Sequence, residues 1–209
     1  MNISRQYTWL ENEGKDSAAF KYVLPSVRDK KVLDLGCGTG VYLSKFGDGS
    51  IGVDFSIPNL KKICLRNLTG VRADLDRRLP FRNGSFEAVF CSHVLEHVVS
   101  PLELLREASR VLKHEGIIII ALPVERSLAR IVLGDHYFWG HPTHLYGFSL
   151  EGVKRLLSFS GFKYQIHFID LPGVRKIRSL WMLDLFQKLP FFISRRIASN
   201  LWIIGKNEK

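Results

Sequence analysis

The sequence predicts an α/β fold in which helices cover both faces of a parallel β-sheet. Two observations point to it: short apolar, β-branched runs alternate with helical patterns as far as about residue 170, and Gly, Asp or Pro residues bound the runs. Such runs are typical of strands buried on both faces, and right-handed crossovers make successive strands parallel. With 209 residues, 46% of them hydrophobic, the chain has the size of one domain with its own core. We expect a single domain over 1–209.

Strands are predicted where the runs are apolar or alternate between apolar and polar residues, at 31–35, 50–54, 70–74, 86–91, 116–123, 162–169 and 201–205. Helices are predicted at 17–24, 41–46, 58–67 and 101–113, and a further one begins after Ser149. The helix over 101–113 has the clearest signals, because Ser100 is a suitable N-cap and Pro101 takes the first helical position. The helix over 17–24 is predicted to belong to an N-terminal cap, 1–25.

Two long connections are predicted on the substrate side of the domain. Residues 124–148 show no strong period and contain three glycines and a proline, and 171–196 is longer than a simple link between strands. Long connections of this kind are often functional. We expect both to be insertions that influence which substrate the protein accepts.

The positive charge is concentrated near the end of the chain. The formal net charge is +10, and 171–209 holds eight basic residues against only Asp184 and Glu208. Such a patch can attract nucleic acid, anionic lipid headgroups or an acidic substrate, or it can be an ordinary solvated face. Within it, the apolar segment 181–193 is flanked by basic residues, which suits peripheral contact with a membrane through 181–196; a lid helix and a dimer face are the alternatives.

Several classes of protein are excluded or disfavoured by composition. The longest apolar run, 117–123, is far shorter than the roughly 20 residues that cross a bilayer, and the first residues lack the features of a secretory signal. We therefore expect a cytoplasmic protein. The three cysteines are widely spaced without a CxxC pair, which indicates reduced thiols and neither a disulfide framework nor a cysteine zinc site.

A glycine-rich loop follows the first predicted strand directly. The residues from Asp34 to Gly40 read DLGCGTG, and a helix is predicted to open after them. Glycines in this position let the backbone turn sharply and approach a ligand, with amides of the helix start directed at it. The spacing is GxGxG, whereas a dinucleotide-binding fingerprint requires GxGxxG. A nicotinamide oxidoreductase is therefore a disfavoured alternative.

This loop resembles motif I of the class I S-adenosylmethionine-dependent methyltransferases. Further segments extend the resemblance over about 31–165: the acidic end of the second strand at Asp54, the third strand ending 72–75, CSHVLEH at 91–97, and FSL at 148–150 followed by SGF at 160–162. The segment at 91–97 is similar to the LEH segment of the branch that contains small-molecule and quinone methyltransferases. The resemblance implies a Rossmann-like three-layer sandwich, with a mostly parallel seven-stranded sheet and an antiparallel last strand.

The resemblance also implies S-adenosylmethionine as cofactor, S-adenosylhomocysteine as product, and a set of residues that bind them. Asp54 is expected to bind the ribose diol and Asp74 the adenine amino group. Asp76 is a less favoured candidate for the adenine contact. The implied cofactor-binding residues are Asp34, Gly36, Cys37, Gly38, Gly40, Asp54, Phe55, Asp74, Leu75, Ser92 and His93.

The acceptor is expected to be a small molecule or a lipid-linked molecule that is methylated on O, N or C. The methyl group of a sulfonium is already activated, so in-line transfer needs mainly orientation, and a hydroxyl or ammonium acceptor also needs a base. Histidine has a suitable pKa, and His141 or His144 in the long connection is our candidate for contact with the acceptor. Both can instead simply hydrogen-bond the backbone of their loop.

Other functions are kept as alternatives. An enzyme acting on RNA ribose or cap stays compatible with the basic patch, although the Pro-Pro-aromatic and Pro-Cys motifs of base methyltransferases are absent. A module that binds the cofactor without catalysis is also possible. Residues 93–97 fit the HxxEH pattern of zinc peptidases, but that pattern should lie within a long helix. A zinc site formed by His136, His141 and His144 is another alternative; our expectation is that the chain binds no metal.

Overall fold

The computed structural model describes residues 19–123, 143–170, 188 and 200–209, which contain one seven-stranded sheet. All seven predicted strands are confirmed, with ends that differ by up to four residues. They are β1 (Val32–Leu35), β2 (Ile51–Asp54), β3 (Gly70–Arg72), β4 (Phe86–Ser92), β5 (Leu112–Pro123), β6 (Phe162–Asp170) and β7 (Asn200–Asn207).

The strand order is β3-β2-β1-β4-β5-β7-β6, and every pair from β3 to β5 is parallel. The last strand, β7, is antiparallel to both β5 and β6. The predicted fold class, including the antiparallel last strand, is therefore confirmed. Leu35 lies opposite Val53 of β2 and opposite Cys91 of β4, so the carboxyl ends of β1, β2 and β4 meet at one edge of the sheet.

Three α-helices lie within the described residues: α1 (Ile57–Leu65), α2 (Pro101–Val111) and α3 (Leu150–Phe159). Ser56 and Ser149 are N-caps whose hydroxyls accept from the amides of Asn59 and Gly152. Ser100 makes no such bond; the carboxylate of Asp76 accepts its backbone N–H instead.

Two predicted helices are corrected by the structure. Residues 41–46 form only a short 3-10 turn, Leu43–Lys45, because the chain folds back at once, and the Gly47 amide donates to the carbonyl of Lys30. At the N-terminus, the described part of 17–24 is a π-helical turn, Ala19–Val23, followed by the 3-10 turn Leu24–Ser26. Pro25 has no N–H to continue an α-helical ladder.

The sheet is covered on both faces, which gives three layers. On one face, apolar residues of α2 and α3 pack against alternate strand residues such as Leu33 and Ile120. On the other, Val23 and Val27 pack with Phe90 and Trp202. Because β1 and β4 are buried on both faces, the glycine loop and the residues that follow β4 start from a fixed position.

The predicted insertions 124–148 and 171–196 lie outside the described residues, except for 143–148 and Lys188. The predicted membrane contact over 181–196 therefore stays a prediction. Within the described part of the chain, no helix combines the length and the apolarity that crossing a bilayer requires.

Candidate functional site

The glycine loop lies at the edge where β1, β2 and β4 end. Gly36, Gly38 and Gly40 all have positive φ, at 65°, 53° and 80°. The loop is fixed to the neighbouring strand because the Cys37 amide donates to the carbonyl of Val53 over 3.0 Å. The sequence prediction of a tight loop next to a possible ligand is thus consistent with the backbone.

Gly36 is required for space as well as for conformation. A Cβ built at this position would lie 2.5 Å from Cγ2 of Val94, which follows β4. The backbone of the loop therefore touches the turn after β4 directly. A side chain at 36 would push apart the two segments that form the site.

Cys37 contributes its backbone rather than a reactive thiol. Its Sγ packs over β2, where a Cβ at Gly52 would lie 2.6 Å away, and it joins Leu43 and Ile63 in a small apolar cluster. Burial, and then the charges of Asp34 and Asp54, raise the pKa of this thiol far above its usual range. The thiol stays neutral and is not a nucleophile.

Asp54 ties the glycine loop to the start of α1. Its Oδ2 accepts from the Gly38 amide over 2.9 Å and its Oδ1 from the Ser56 amide over 2.7 Å. The side-chain amide of Asn59, which is buried, donates to the carboxylate at 3.4 Å. Asn59 was not predicted as a site residue; its position in the first turn of α1, five residues after Asp54, was the available signal.

Two buried polar atoms in the loop have no partner among the described residues: Oδ2 of Asp34 and Oγ1 of Thr39. Both residues are only 2% exposed. Leaving such an atom unsatisfied costs about 1–3 kcal/mol. Burial, and then the charge of Asp54, raise the pKa of Asp34 well above its usual range. These atoms fit a polar, positively charged ligand, which would give the two oxygens hydrogen-bond partners and favour the ionised form of the Asp34 carboxyl. Thr39 was not predicted as a site residue from the sequence.

The residues around β3 are mostly occupied by contacts within the chain. Asp74 is exposed; it accepts from the Asp76 amide over 3.0 Å and from Nε of Arg77 over 3.3 Å, and so closes a turn. Asp76 bonds the amides of Val99 and Ser100 and is structural. Leu75 packs against the main core.

The ring of Phe55 is 65% exposed and is available for stacking on a planar ligand. It has the guanidinium of Arg72 at 4.8 Å from its centre. Contact between a cofactor and Asp74, Leu75 or Phe55 stays a prediction.

Ser92 ends β4, and the next residue, His93, has a φ of 55°. Nδ1 of His93 lies 3.2 Å from Oε1 of Glu96, which is fully buried. Burial alone would raise the pKa of Glu96, but the hydrogen bond and charge of His93, with smaller contributions from the backbone and His97, lower it. The ionised carboxylate can only accept, so Nδ1 carries the proton and the basic lone pair of neutral His93 is on Nε2.

Residues 93–97 form turns rather than a helix, so the zinc-peptidase interpretation of HxxEH is wrong. His144 lies beside His97, with ring centres 4.7 Å apart, which places this predicted acceptor residue next to the turn after β4. His141 and His136 lie outside the described residues, as does the zinc site that would combine them with His144.

Comparison with known proteins agrees with this geometry. Residues 33–120 match the family model described as a methyltransferase domain. The chain is 32% identical over 152 residues to an uncharacterized protein of Methanocaldococcus jannaschii, a match that covers 72% of this chain and 63% of that protein. The match thus spans less than two thirds of that relative's length.

A second relative, from Colwellia psychrerythraea, is named ubiquinone biosynthesis O-methyltransferase. It is 27% identical over 196 residues, covering 82% of this chain and 76% of that protein. Among solved structures, a SAM dependent methyltransferase from Archaeoglobus fulgidus is similar, with a TM-score of 0.69, 23% identity and coverage of 91% of this chain and 92% of that one. This similarity shows a shared fold.

We predict that Gly36→Ala destabilises the protein much more than Gly84→Ala. Both glycines have φ near 65°, but a Cβ at Gly84 meets nothing within 4 Å, whereas one at Gly36 meets Val94. The common backbone strain costs about 1 kcal/mol, and overpacking adds about 1–3 kcal/mol at Gly36 alone. Urea unfolding followed by circular dichroism measures the difference. The double variant Gly36→Ala/Val94→Ala should recover part of it; equal losses for the two single glycine variants would contradict the packing account.

Proposed function

Because the chain belongs to the class I S-adenosylmethionine-dependent methyltransferase family, we propose that it transfers a methyl group from S-adenosylmethionine to a small-molecule or lipid-linked acceptor. The observation that carries the proposal is the pair of unpartnered buried oxygens, on Asp34 and Thr39, in a glycine loop closed by Asp54. A loop with these properties fits a cationic nucleoside better than it fits an empty structural turn.

Each part of the loop has a role in holding the cofactor. Asp54 accepts hydrogen bonds from the ribose diol, because each of its oxygens has a second lone pair beside the one bound by the Gly38 or Ser56 amide. The ribose hydroxyls replace the long 3.4 Å contacts from the side-chain amide of Asn59. Oδ2 of Asp34 and Oγ1 of Thr39 bind polar groups of the cofactor, and the negative charge of Asp34 favours its positive charge. When bound, the cofactor supplies a sulfonium-activated methyl group.

The chain itself orients the acceptor and removes a proton from it. Glu96 fixes the proton of His93 on Nδ1, so that Nε2 can accept the proton of a hydroxyl acceptor. The imidazolium that forms is stabilised by the buried Glu96 carboxylate 3.2 Å away. His144, and His141 outside the described residues, are proposed to contact the acceptor. No covalent intermediate with the protein is needed.

A hydroxyl on a quinone precursor is the proposed acceptor class. It is favoured by the name of the Colwellia relative and by the His93–Glu96 pair, which suits a group that must lose a proton. The RNA-directed alternative depends on the eight basic residues of 171–209, of which the structure describes Lys188, Lys206 and Lys209. Nothing in the described ranges favours it.

We predict that Asp54→Asn weakens binding of S-adenosylmethionine and S-adenosylhomocysteine. Hydrogen bonds to a charged group contribute about 1.5–3 kcal/mol, so the dissociation constant should rise by roughly 10- to 100-fold. Isothermal titration calorimetry measures it, with the exposed Asp48→Asn as control. No binding by the wild-type chain, or tighter binding of NADH, would refute the proposed function.

We predict that His93→Gln lowers kcat by about 10²- to 10⁴-fold, the usual contribution of a general base. Its dissociation constant for S-adenosylhomocysteine should stay close to that of the wild-type chain. The assay follows formation of S-adenosylhomocysteine from dihydroxybenzenes with and without a prenyl chain. The exposed His114→Gln is the control. An unchanged kcat for His93→Gln would exclude its role as the base.

For an acceptor that lies in a membrane, we predict that the chain sediments with anionic vesicles. The triple variant Trp181→Ser/Phe191→Ser/Phe192→Ser should no longer sediment with them. The physical reason is the loss of apolar area that would enter the interface. Neutral vesicles are the control, since they lack the attraction to the basic residues. Equal sedimentation of the wild-type chain and the triple variant would remove the membrane contact and leave a water-soluble acceptor.

A further inference from the structure

Glu96, His97 and His144 form a cluster of metal-ligating side chains next to the proposed active site. Each offers one ligand atom, and these atoms all lie within 4.8 Å of one another. Glu96 is buried and the two histidines are half-buried. The cluster joins the turn after β4 to a segment 46 residues later in the chain.

Glu96 has one oxygen that the protein does not satisfy. Its Oε1 is bonded by His93, whereas Oε2 is buried and has no hydrogen-bond partner among the described residues. A carboxylate oxygen in that situation costs free energy unless a cation or donor reaches it. Glu96 thus contacts His93 through one oxygen and has the other available for an ion held with His97 and His144.

One ring nitrogen of His97 is hydrogen-bonded to another segment of the chain. Its Nδ1 lies 3.1 Å from the carbonyl oxygen of Thr143 and 2.9 Å from the hydroxyl of the same residue. A carbonyl only accepts, so Nδ1 carries the proton and the lone pair is on Nε2. Metal-ligating histidines almost always donate their other ring N–H in this way, to a carbonyl or a carboxylate.

The backbone holds the two segments of the cluster together. The Leu145 amide donates to the carbonyl of Glu96 over 2.7 Å, and the hydroxyl of Tyr146 donates to the carbonyl of Val99 over 2.7 Å. His144 is thereby fixed across from Glu96 and His97 by contacts on its C-terminal side. These bonds keep the two segments that carry the ligands close together.

We propose that Glu96, His97 and His144 bind a divalent transition-metal ion, with Zn²⁺ the best match. Two imidazoles and one carboxylate suit Zn²⁺ better than Mg²⁺ or Ca²⁺, which prefer oxygen ligands. Tetrahedral coordination of Zn²⁺ brings the donor atoms to about 3.4 Å from one another, so the side chains close on the ion from their present spacing of up to 4.8 Å. The fourth position is open to water or to an oxygen of the acceptor.

The proposed site is not the zinc-peptidase pattern considered from the sequence. In that pattern both histidines of HxxEH are ligands on a helix. Here His93 is not a ligand, because its Nδ1 bonds Glu96, while His144 supplies the third ligand from elsewhere in the chain. The sequence predicted no metal site because nothing in the spacing of residues 93–97 brings His144 to them.

The test is metal binding by the full chain, freed of metal with a chelator and without a histidine tag. Zn²⁺ is titrated against a chromophoric chelator, and Co²⁺ is titrated while the visible absorption is recorded. The proposal predicts one ion per chain. The variants Glu96→Gln, His97→Ala and His144→Ala should each weaken Zn²⁺ binding by at least about tenfold. Loss of a residue that only hydrogen-bonds a metal ligand already weakens binding by about 10- to 100-fold, and loss of a ligand should cost no less.

Two further variants separate loss of ligands from loss of structure. His114→Ala removes an exposed histidine outside the cluster and should bind Zn²⁺ like the wild-type chain. His144→Cys replaces one ligand by another and should bind Co²⁺ with a new sulfur-to-cobalt charge-transfer band, which a structural role for His144 would not produce.

The proposal is overturned if the wild-type chain binds no stoichiometric Zn²⁺ or Co²⁺. It is also overturned if His144→Ala binds Zn²⁺ as tightly as the wild-type chain, or if the cobalt spectrum of His144→Cys lacks the sulfur band. None of these measurements uses S-adenosylmethionine. Failure of the metal site is therefore distinguishable from failure of the proposed methyltransferase activity.

Discussion

The contact between the glycine loop and the turn after β4 is the constraint on which the site depends. With no Cβ at Gly36, the loop backbone can lie against Val94. The loop then carries Asp34 and Thr39 on one side, while the turn carries His93 and Glu96 a few residues away. Two parallel strands, β1 and β4, are adjacent in the sheet, and this close approach brings their neighbouring ends together in one candidate site.

The fold was predictable because its signals are local. Each strand is a short apolar or alternating run, and two of the three α-helices in the described part of the chain begin at a serine whose hydroxyl caps the first turn. The helix expected over 41–46 failed for a non-local reason: the chain returns to Lys30 through a backbone hydrogen bond at Gly47. The pattern of apolar residues over 41–46 contains no information about a hydrogen bond to a residue so far back in the chain.

The site was predictable where a motif fixes the backbone and not where partners come from different segments. The glycines and Asp54 could be placed at the ends of β1 and β2 from the motif and its resemblance to a known family, and their contact with a cofactor stays a prediction. Asn59, Thr39 and the pairing of Glu96 with His93 depend on which side chains face each other after folding. His144 was identified as a candidate for acceptor contact, but its position beside His97 follows from hydrogen bonds between segments that are distant in the sequence.

The central claim is that the loop after β1 binds the adenosyl nucleoside of a methyl donor. A crystal structure of the chain with S-adenosylhomocysteine tests it most directly. The account predicts ribose hydroxyls on the Asp54 carboxylate and polar ligand atoms within hydrogen-bond distance of Oδ2 of Asp34 and Oγ1 of Thr39. A ligand bound elsewhere, with both of these oxygens still unpartnered, would contradict it.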